Sequence, residues 1–324
     1  MSYTSGGLIE ATDYNGFVGN TTTGLNRIWA TGSADYGYGQ TALATVAVAD
    51  LVSAVNWASL VNTLSTTASH QGTSITSRVA PVTGDIISIL SNVSTDITNL
   101  TNARGNAAAS GSQYTAWTGT SSKTSNTGSG TSAWTITFTH TVTWASANAA
   151  RYFFNAGGRI KWETSKTSTG TDADPEWNDL ANTLVGDIYI TGGTATQTIA
   201  GTAYTGTTKS GGTGTPDVLQ TTVGWYDLTT SDTTIYRQYA DTAPYTGQYI
   251  QINAKTAGSG TQLVLTTTWV DPGGGTITDV ITGGTATSGI SFGTAPATVV
   301  TYFPPSTTYL SNSWGTPTVA ATVA

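Results

Sequence analysis

"AWTITFTHTVTW", residues 133–144, decides the fold class. Trp134, Ile136, Phe138, His140, Val142 and Trp144 alternate with Thr135, Thr137, Thr139, Thr141 and Thr143. Successive side chains of a strand point to opposite faces, so this period of two predicts a strand with one buried face. Trp134, Ile136, Phe138, Val142 and Trp144 are the expected β-core. The other face is threonine throughout. Threonine favours strands, hydrogen-bonds and carries no charge. Such a face suits packing beside copies of itself, because like charges never meet across a symmetry axis.

The rest of the 324-residue chain follows the same chemistry. Charged residues make up 9%, against roughly 25% in ordinary globular proteins. Aromatic residues reach 10%, with ten Trp and fifteen Tyr. Disordered chains show the opposite bias, so the composition predicts a folded, β-rich protein. The net charge is −7 and the few Lys and Arg form no cluster. That speaks against nucleic-acid binding, which needs a positive footprint. Zinc ribbons, thiol catalysis and disulfides are excluded because there is no Cys. No apolar run is long enough to span a bilayer. The first residues have neither a basic start nor an apolar core. Synthesis in the cytoplasm without membrane insertion is therefore expected.

Four regions are expected. Residues 1–48 are rich in glycine and aromatics and read as a docking segment, with Tyr14, Phe17, Ile28, Trp29, Tyr36 and Tyr38 packing on the next domain or a partner. Residues 49–104 are helical. In the first helix Leu51, Val55, Ala58, Val61 and Leu64 recur at spacings of three and four, with Asp50 as N-cap. In the second, capped by Thr83 and closed by Arg104 and Gly105, Ile86, Leu90, Val93, Ile97 and Leu100 form a heptad stripe. Its outer positions are Ser, Thr and Asn, so the stripe must be buried to hold the helix. It can pack against the first helix or against copies of itself, and the strict spacing favours the copies. Residues 105–130 are Gly/Ser/Thr-rich and read as a linker. Residues 131–324 read as an antiparallel β-sandwich ending in an extended segment. Within it, "ARYFFNAGGRIKWE" (150–163) reads as a hairpin turning at Asn155, Gly157 and Gly158. A short helix follows, with Asp174 as cap, Pro175 in its first turn, and Trp177, Leu180, Ala181 and Leu184 on one face. The fold class is thus mainly β with a helical N-terminal segment, the helices forming a short oligomeric coiled coil.

Catalytic signals are weak. Gly289-Ile290-Ser291-Phe292-Gly293 has the form of a nucleophile elbow. The required helix does not follow it, and His70 and His140 both precede it. Asp172, Asp174, Glu176 and Asp179 cluster, and read as helix capping and dipole compensation before a metal or glycosidase site. His140, on the apolar strand face, reads as a hydrogen-bonded core residue. No cofactor is expected and no enzymatic activity.

"ATDYNGFVG" (11–19), "GYGQTAL" (37–43), "WASLVNTLS" (57–65) with "HQGT" (70–73), and "RYFFNAGGRIKWE" with "PEWNDLANTLVGDIYI" (175–190) together resemble structural proteins of tailed-bacteriophage virions. The resemblance covers most of the chain and carries no catalytic residues. It implies an oligomeric, trimeric fibre or appendage on tail, neck or capsid, located in the virion. Its partners would be further copies of itself and, through the N-terminal segment, other virion proteins. The alternatives are a decoration protein stabilising the particle lattice or an adhesin binding host glycan. No long β-helix repeat of the kind found in depolymerase spikes is present.

Overall fold

A computed structural model describes residues 10–85, 92–115, 121–122, 133–167, 173–272, 277–278, 285–286 and 296–324. Its helices are α1 (Ala11–Val18), α2 (Asn26–Trp29), α3 (Ala54–Gln71), α4 (Val93–Asn102), α5 (Ala147–Asn155) and α6 (Ala173–Asp179). Its strands are β1 (Tyr114–Thr115), β2 (Ser121–Ser122), β3 (Trp134–Thr143), β4 (Arg159–Ser165), β5 (Asp187–Ile190), β6 (Gln197–Ile199), β7 (Thr202–Tyr204) and β8 (Thr207–Ser210). They continue with β9 (Val218–Leu219), β10 (Thr233–Tyr239), β11 (Tyr249–Ala257), β12 (Gln262–Asp271), β13 (Ile277–Thr278), β14 (Thr285–Ala286), β15 (Ala297–Phe303) and β16 (Thr318–Val323).

The protein is mostly β, and its sheets are antiparallel. The first sheet runs β16-β3-β12-β11-β10-β9 and the second β1-β15-β4-β5-β8, with β2 also on β15; β6 with β7 and β13 with β14 form two-stranded sheets. β3 is central to the first sheet and pairs with β12 along its whole length, from Trp134 opposite Asp271 to Thr143 opposite Gln262. This register places Trp134, Ile136, Phe138 and Val142 beside Leu263, Leu265 and Trp269, all buried. Trp144, just past the strand, is buried as well. The opposite face aligns Thr137 and Thr139 with Thr268 and Thr266, and on the other side Thr139 with Thr322 and Thr143 with Thr318. The alternation read at 133–144 is therefore continued by the two neighbouring strands, β12 and β16.

Ile160, Trp162, Ile188 and Val300 of the second sheet belong to the same buried cluster as the apolar face of the first. Trp177, presented by α6, closes this core: it packs 5.0 Å from Trp134 and stacks at 5.5 Å on Trp269. Leu180, Ala181 and Leu184 after it are buried too.

The N-terminal helices are part of that core. Tyr14, Phe17, Ile28, Tyr38, Trp57, Leu60 and Leu64 share the cluster with the sheets. Side-chain amides fasten the connecting segments. Asn15 accepts from the Val46 N–H and donates to its carbonyl, both at 2.8 Å. Asn26 holds Leu43 in the same way at 2.9 Å, and Gln40 holds Ser311. Each clamp replaces two lost water contacts of a half-buried backbone. In a chain this poor in charge, neutral amides do the work that ion pairs do elsewhere. Gly39 is needed for the close approach of this segment to α5: its φ is 70°, in the left-handed region that favours glycine, and a Cβ there would lie 2.4 Å from the Tyr152 ring.

Several expectations are corrected. The first helix starts at Ala54 on a capping box between Ser53 and Asn56, not at Asp50. Leu51 and Val55 are 93% and 71% exposed, and the buried face is Trp57, Leu60, Val61, Leu64 and Ala68. The second helix is described only from Val93 to Asn102. Val93, Ile97 and Leu100 are buried in the chain's own core, so they are not available to a seam between copies; Ile86 and Leu90 lie outside the described residues. The expected linker is not free through Thr115. Ala107 exchanges hydrogen bonds with Thr198 and Ala200, Ser110 bridges Pro305, and β1 pairs with β15. Finally, the expected hairpin at 150–163 is a helix followed by a strand. Ser146 caps α5 by accepting from Ala149 at 3.0 Å. Ala149, Ala150, Phe153 and Phe154 then form its buried face. Gly157, at φ 92°, ends it.

Candidate functional site

Where α5 ends, the N-terminal segment, the end of α4, the loop before β6 and the turn at Trp225–Asp227 enclose a cleft of about 460 Å³. Its walls include Asp35, Arg104, Asn155, Gln197 and Tyr226. Asn155 donates to the carbonyls of Ala34 and Gly37 at 3.2 and 3.0 Å. The Tyr226 hydroxyl donates to Asn155 Oδ1 at 2.6 Å and lies 3.0 Å from the Ala34 carbonyl. Burial pushes the Tyr226 phenol well above its ordinary pKa, so it remains a neutral donor. Gln197 donates to Gly105 and accepts from Gly192, tying the β6 loop to the end of α4. Arg104 pairs with Asp35, donates to Thr101 at 3.1 Å, and lies 4.2 Å above the Tyr36 ring.

The cleft thus has one partly exposed ring, Tyr226, and a rim of amides, hydroxyls and one ion pair. No histidine lines it. The arrangement offers hydrogen bonds and a ring face to an uncharged polar ligand. None of these residues was singled out from the sequence as a site, since they come from five separated segments and no local pattern joins them.

The residues that were singled out lie elsewhere. His70 and His140 are both buried, and burial lowers the pKa of each to about 4. His70 meets the Ala156 backbone and packs edge-on against Tyr38 at 5.0 Å. His140 meets the Thr298 backbone and thereby links the two sheets. Both are neutral core residues at pH 7. Ser291 and its flanking glycines lie outside the described residues, as do Asp172 and the side chain of Asp174. Glu176 and Asp179 are joined by Asp241, with one carboxylate oxygen from each within 4.8 Å of the others. Glu176 Oε1 accepts from the N–H groups of Asp241 and Thr242 at 3.2 and 3.3 Å. That carboxylate fastens the turn after β10 onto α6, which accounts for its burial.

Among the described residues, no helix is long and apolar enough to cross a membrane. No protein-family model, curated protein or solved structure matches the chain.

Proposed function

We propose that the chain is a noncatalytic structural component of a bacteriophage particle, built to pack in copies beside its neighbours as part of a fibre, appendage or decoration. The observation that carries this reading is the threonine face of the first sheet: a broad hydroxyl surface laid over a Trp-rich sandwich core. A large aromatic core resists unfolding outside a cell, and around β3 the outward face is uncharged, its charged side chains lying farther out on β10 and β11 as the pairs Arg237–Asp217 and Lys255–Asp232. The segments that resemble phage structural proteins form the packing elements α1, α3, α5, β4 and α6. Docking on other virion proteins fits the exposed side chains of Val48, Leu51, Val55, Val79 and Val82 on the N-terminal region. Immunogold labelling and peptide mass spectrometry of gradient-purified particles are expected to find the chain in fixed stoichiometry with the major virion proteins. Its absence from banded particles would sink the proposal.

A second reading is favoured by the cleft at Tyr226: an adhesin taking a neutral glycan. Sugar rings stack on aromatic faces and their hydroxyls match amide and carboxylate rims. On a glycan array the expected signal is retention of uncharged oligosaccharides that Asp35→Ala weakens at least tenfold. Binding unchanged by that substitution would separate any glycan affinity from the cleft.

A further inference from the structure

We propose that residues 31–37 are a preset jaw of the Tyr226 cleft, locked from behind by Arg151, and that this jaw makes Asp35 demand a free hydroxyl from the ligand. The inference rests on the glycan reading of the cleft and adds to it which sugars are accepted.

The jaw is a loop whose backbone is held by side chains. Arg151 donates through Nε to the Ala34 carbonyl at 3.1 Å, and through Nη2 to the carbonyls of Thr31 and Tyr36 at 3.1 and 3.0 Å. Its Nη1 is anchored in turn on Asn148 at 2.7 Å. Asn155 reaches the same loop at Ala34 and Gly37. The Tyr36 ring has Arg27 at 3.5 Å and Arg104 at 4.2 Å from its centroid. Gly32 and Gly37, both at positive φ, let the loop close on itself: a Cβ on Gly37 would lie 2.2 Å from the Thr31 carbonyl oxygen. Between them Ala34 has a φ of 49°, in the left-handed region that residues other than glycine rarely adopt. Such a conformation costs free energy and persists only where the surroundings over-determine it. A guanidinium and an amide on one carbonyl supply that over-determination. Strain of this kind collects at ligand clamps.

The residue beside the strained one is Asp35, which lines the cleft. Its Oδ2 accepts from Arg104. Among the described residues its Oδ1 has no partner, and the side chain is 44% exposed. A carboxylate can only accept. With Oδ2 fixed and the loop unable to turn, Oδ1 must be met by a donor that the ligand brings. The Tyr226 hydroxyl is not that donor, since it is spent on Asn155. Asp227, also in the cleft lining, is set in the same way: its Oδ2 accepts from the Gly224 N–H at 2.9 Å. A sugar hydroxyl supplies the missing donor. A methyl ether or acetyl ester at the same place brings a second acceptor instead. A site built around a hydrogen bond to a hydroxyl discriminates strongly against the analogue lacking it, because its own polar group is left unpaired. Arg151 does not line the cleft, so it is a positioning residue that reaches the ligand through Asp35.

The probes are gluco-, manno- and galacto-oligosaccharides, each immobilised unmodified and singly O-methylated at every position in turn, with the full chain as analyte. The wild type should retain an unmodified sugar, and methylation at one position should weaken retention about tenfold or more. Asp35→Asn should shrink that contrast, since an amide oriented by Arg104 can donate to the ether oxygen. Arg151→Met should weaken retention about as much as Asp35→Ala, and the double variant no further than either alone. That non-additivity marks a residue acting through Asp35 rather than a general loosening. Hydrogen exchange should quicken at the amides of 31–37 in Arg151→Met and stay unchanged in β3 and β12. If Arg151→Met does not fold, Asp35→Asn carries the methylation test by itself. A wild type that retains no sugar sinks the glycan reading and the jaw with it. Retention that tolerates methylation at every position leaves the glycan reading standing and overturns the jaw. So does a folded Arg151→Met with unchanged exchange and retention, or a double variant whose losses add.

Discussion

Acidification from pH 7 to pH 4 is expected to remove on the order of 6 kcal/mol of folding stability, a loss traceable to two buried histidines. In the folded chain His70 and His140 each titrate near pH 4, because burial penalises the imidazolium and the backbone contacts at Ala156 and Thr298 offset only part of that penalty. In the unfolded chain both titrate near the ordinary value of 6.5. As the pH falls through 6.5 the unfolded state takes up protons that the folded state refuses. Stability is therefore full above about 6.5 and declines until the folded pKa is reached. Each histidine accounts for about 3 kcal/mol over that interval. At pH 5 the two together should give a slope approaching 2.7 kcal/mol per pH unit, or about two protons. Asp187 works in the opposite sense: burial raises its carboxyl pKa, so the folded state gains a proton first as the pH falls. Its side chain is 39% exposed, and its contribution is correspondingly screened. Urea titrations at half-unit pH steps measure the slope, and NMR titration of the two imidazoles assigns it. A slope below one proton near pH 5, or an imidazole protonating at pH 6 in the folded chain, contradicts the assignment.

The same two residues show what the sequence could and could not reveal. His140 was readable as a core residue because it falls in phase with Trp134, Ile136, Phe138 and Val142 on a strand whose alternation is unbroken. The strands at 249–257 and 262–271 carry the same alternation of buried and outward residues. His70 was not, since its neighbours at the end of α3 are Ser69, Gln71 and Gly72, and its burial comes from Tyr38 and from the turn after α5. The misreading at 150–163 has a similar origin. "RYFFN" contains β-favouring aromatics, and the short run has too few residues to separate a period of 3.6 from a buried strand. The decisive cue lay upstream, in Ser146 ahead of an alanine-rich turn. At α3 the capping box of Ser53 and Asn56 outweighed Asp50, and it moved the buried stripe onto Trp57. The cleft was illegible for a deeper reason. Its side chains come from residues 34–35, 102–106, 154–155, 192–197 and 226–227, and only the folded core brings them together.

Replacing Leu100 by Asp is the sharpest test of where α4 packs, and it is expected to destabilise the whole chain, with oligomeric mass a secondary matter. Leu100 is fully buried, with Val93 and Ile97 on the same face. Beside it, the Leu100 carbonyl accepts from Gln71 at 3.0 Å, and Gln71 in turn donates to the Tyr38 hydroxyl at 2.8 Å. A carboxylate at position 100 would enter this apolar junction of α3 and α4 without a cation assigned to it; Arg78 already pairs with Asp96 at 2.5 Å, and Arg104 with Asp35. An uncompensated buried charge costs about 3–5 kcal/mol, a large part of a domain's total stability. Since α1, α3 and α4 share one core with the sheets, the loss should lower the melting temperature of the whole cooperative unit. A stripe buried between copies predicts something else: Leu100→Asp would dissociate the assembly into folded single chains with unchanged melting at low concentration. Calorimetry together with light scattering separates the two. Retention of the wild-type melting temperature by Leu100→Asp would mean that the face carried by Leu100 is not packed inside its own chain.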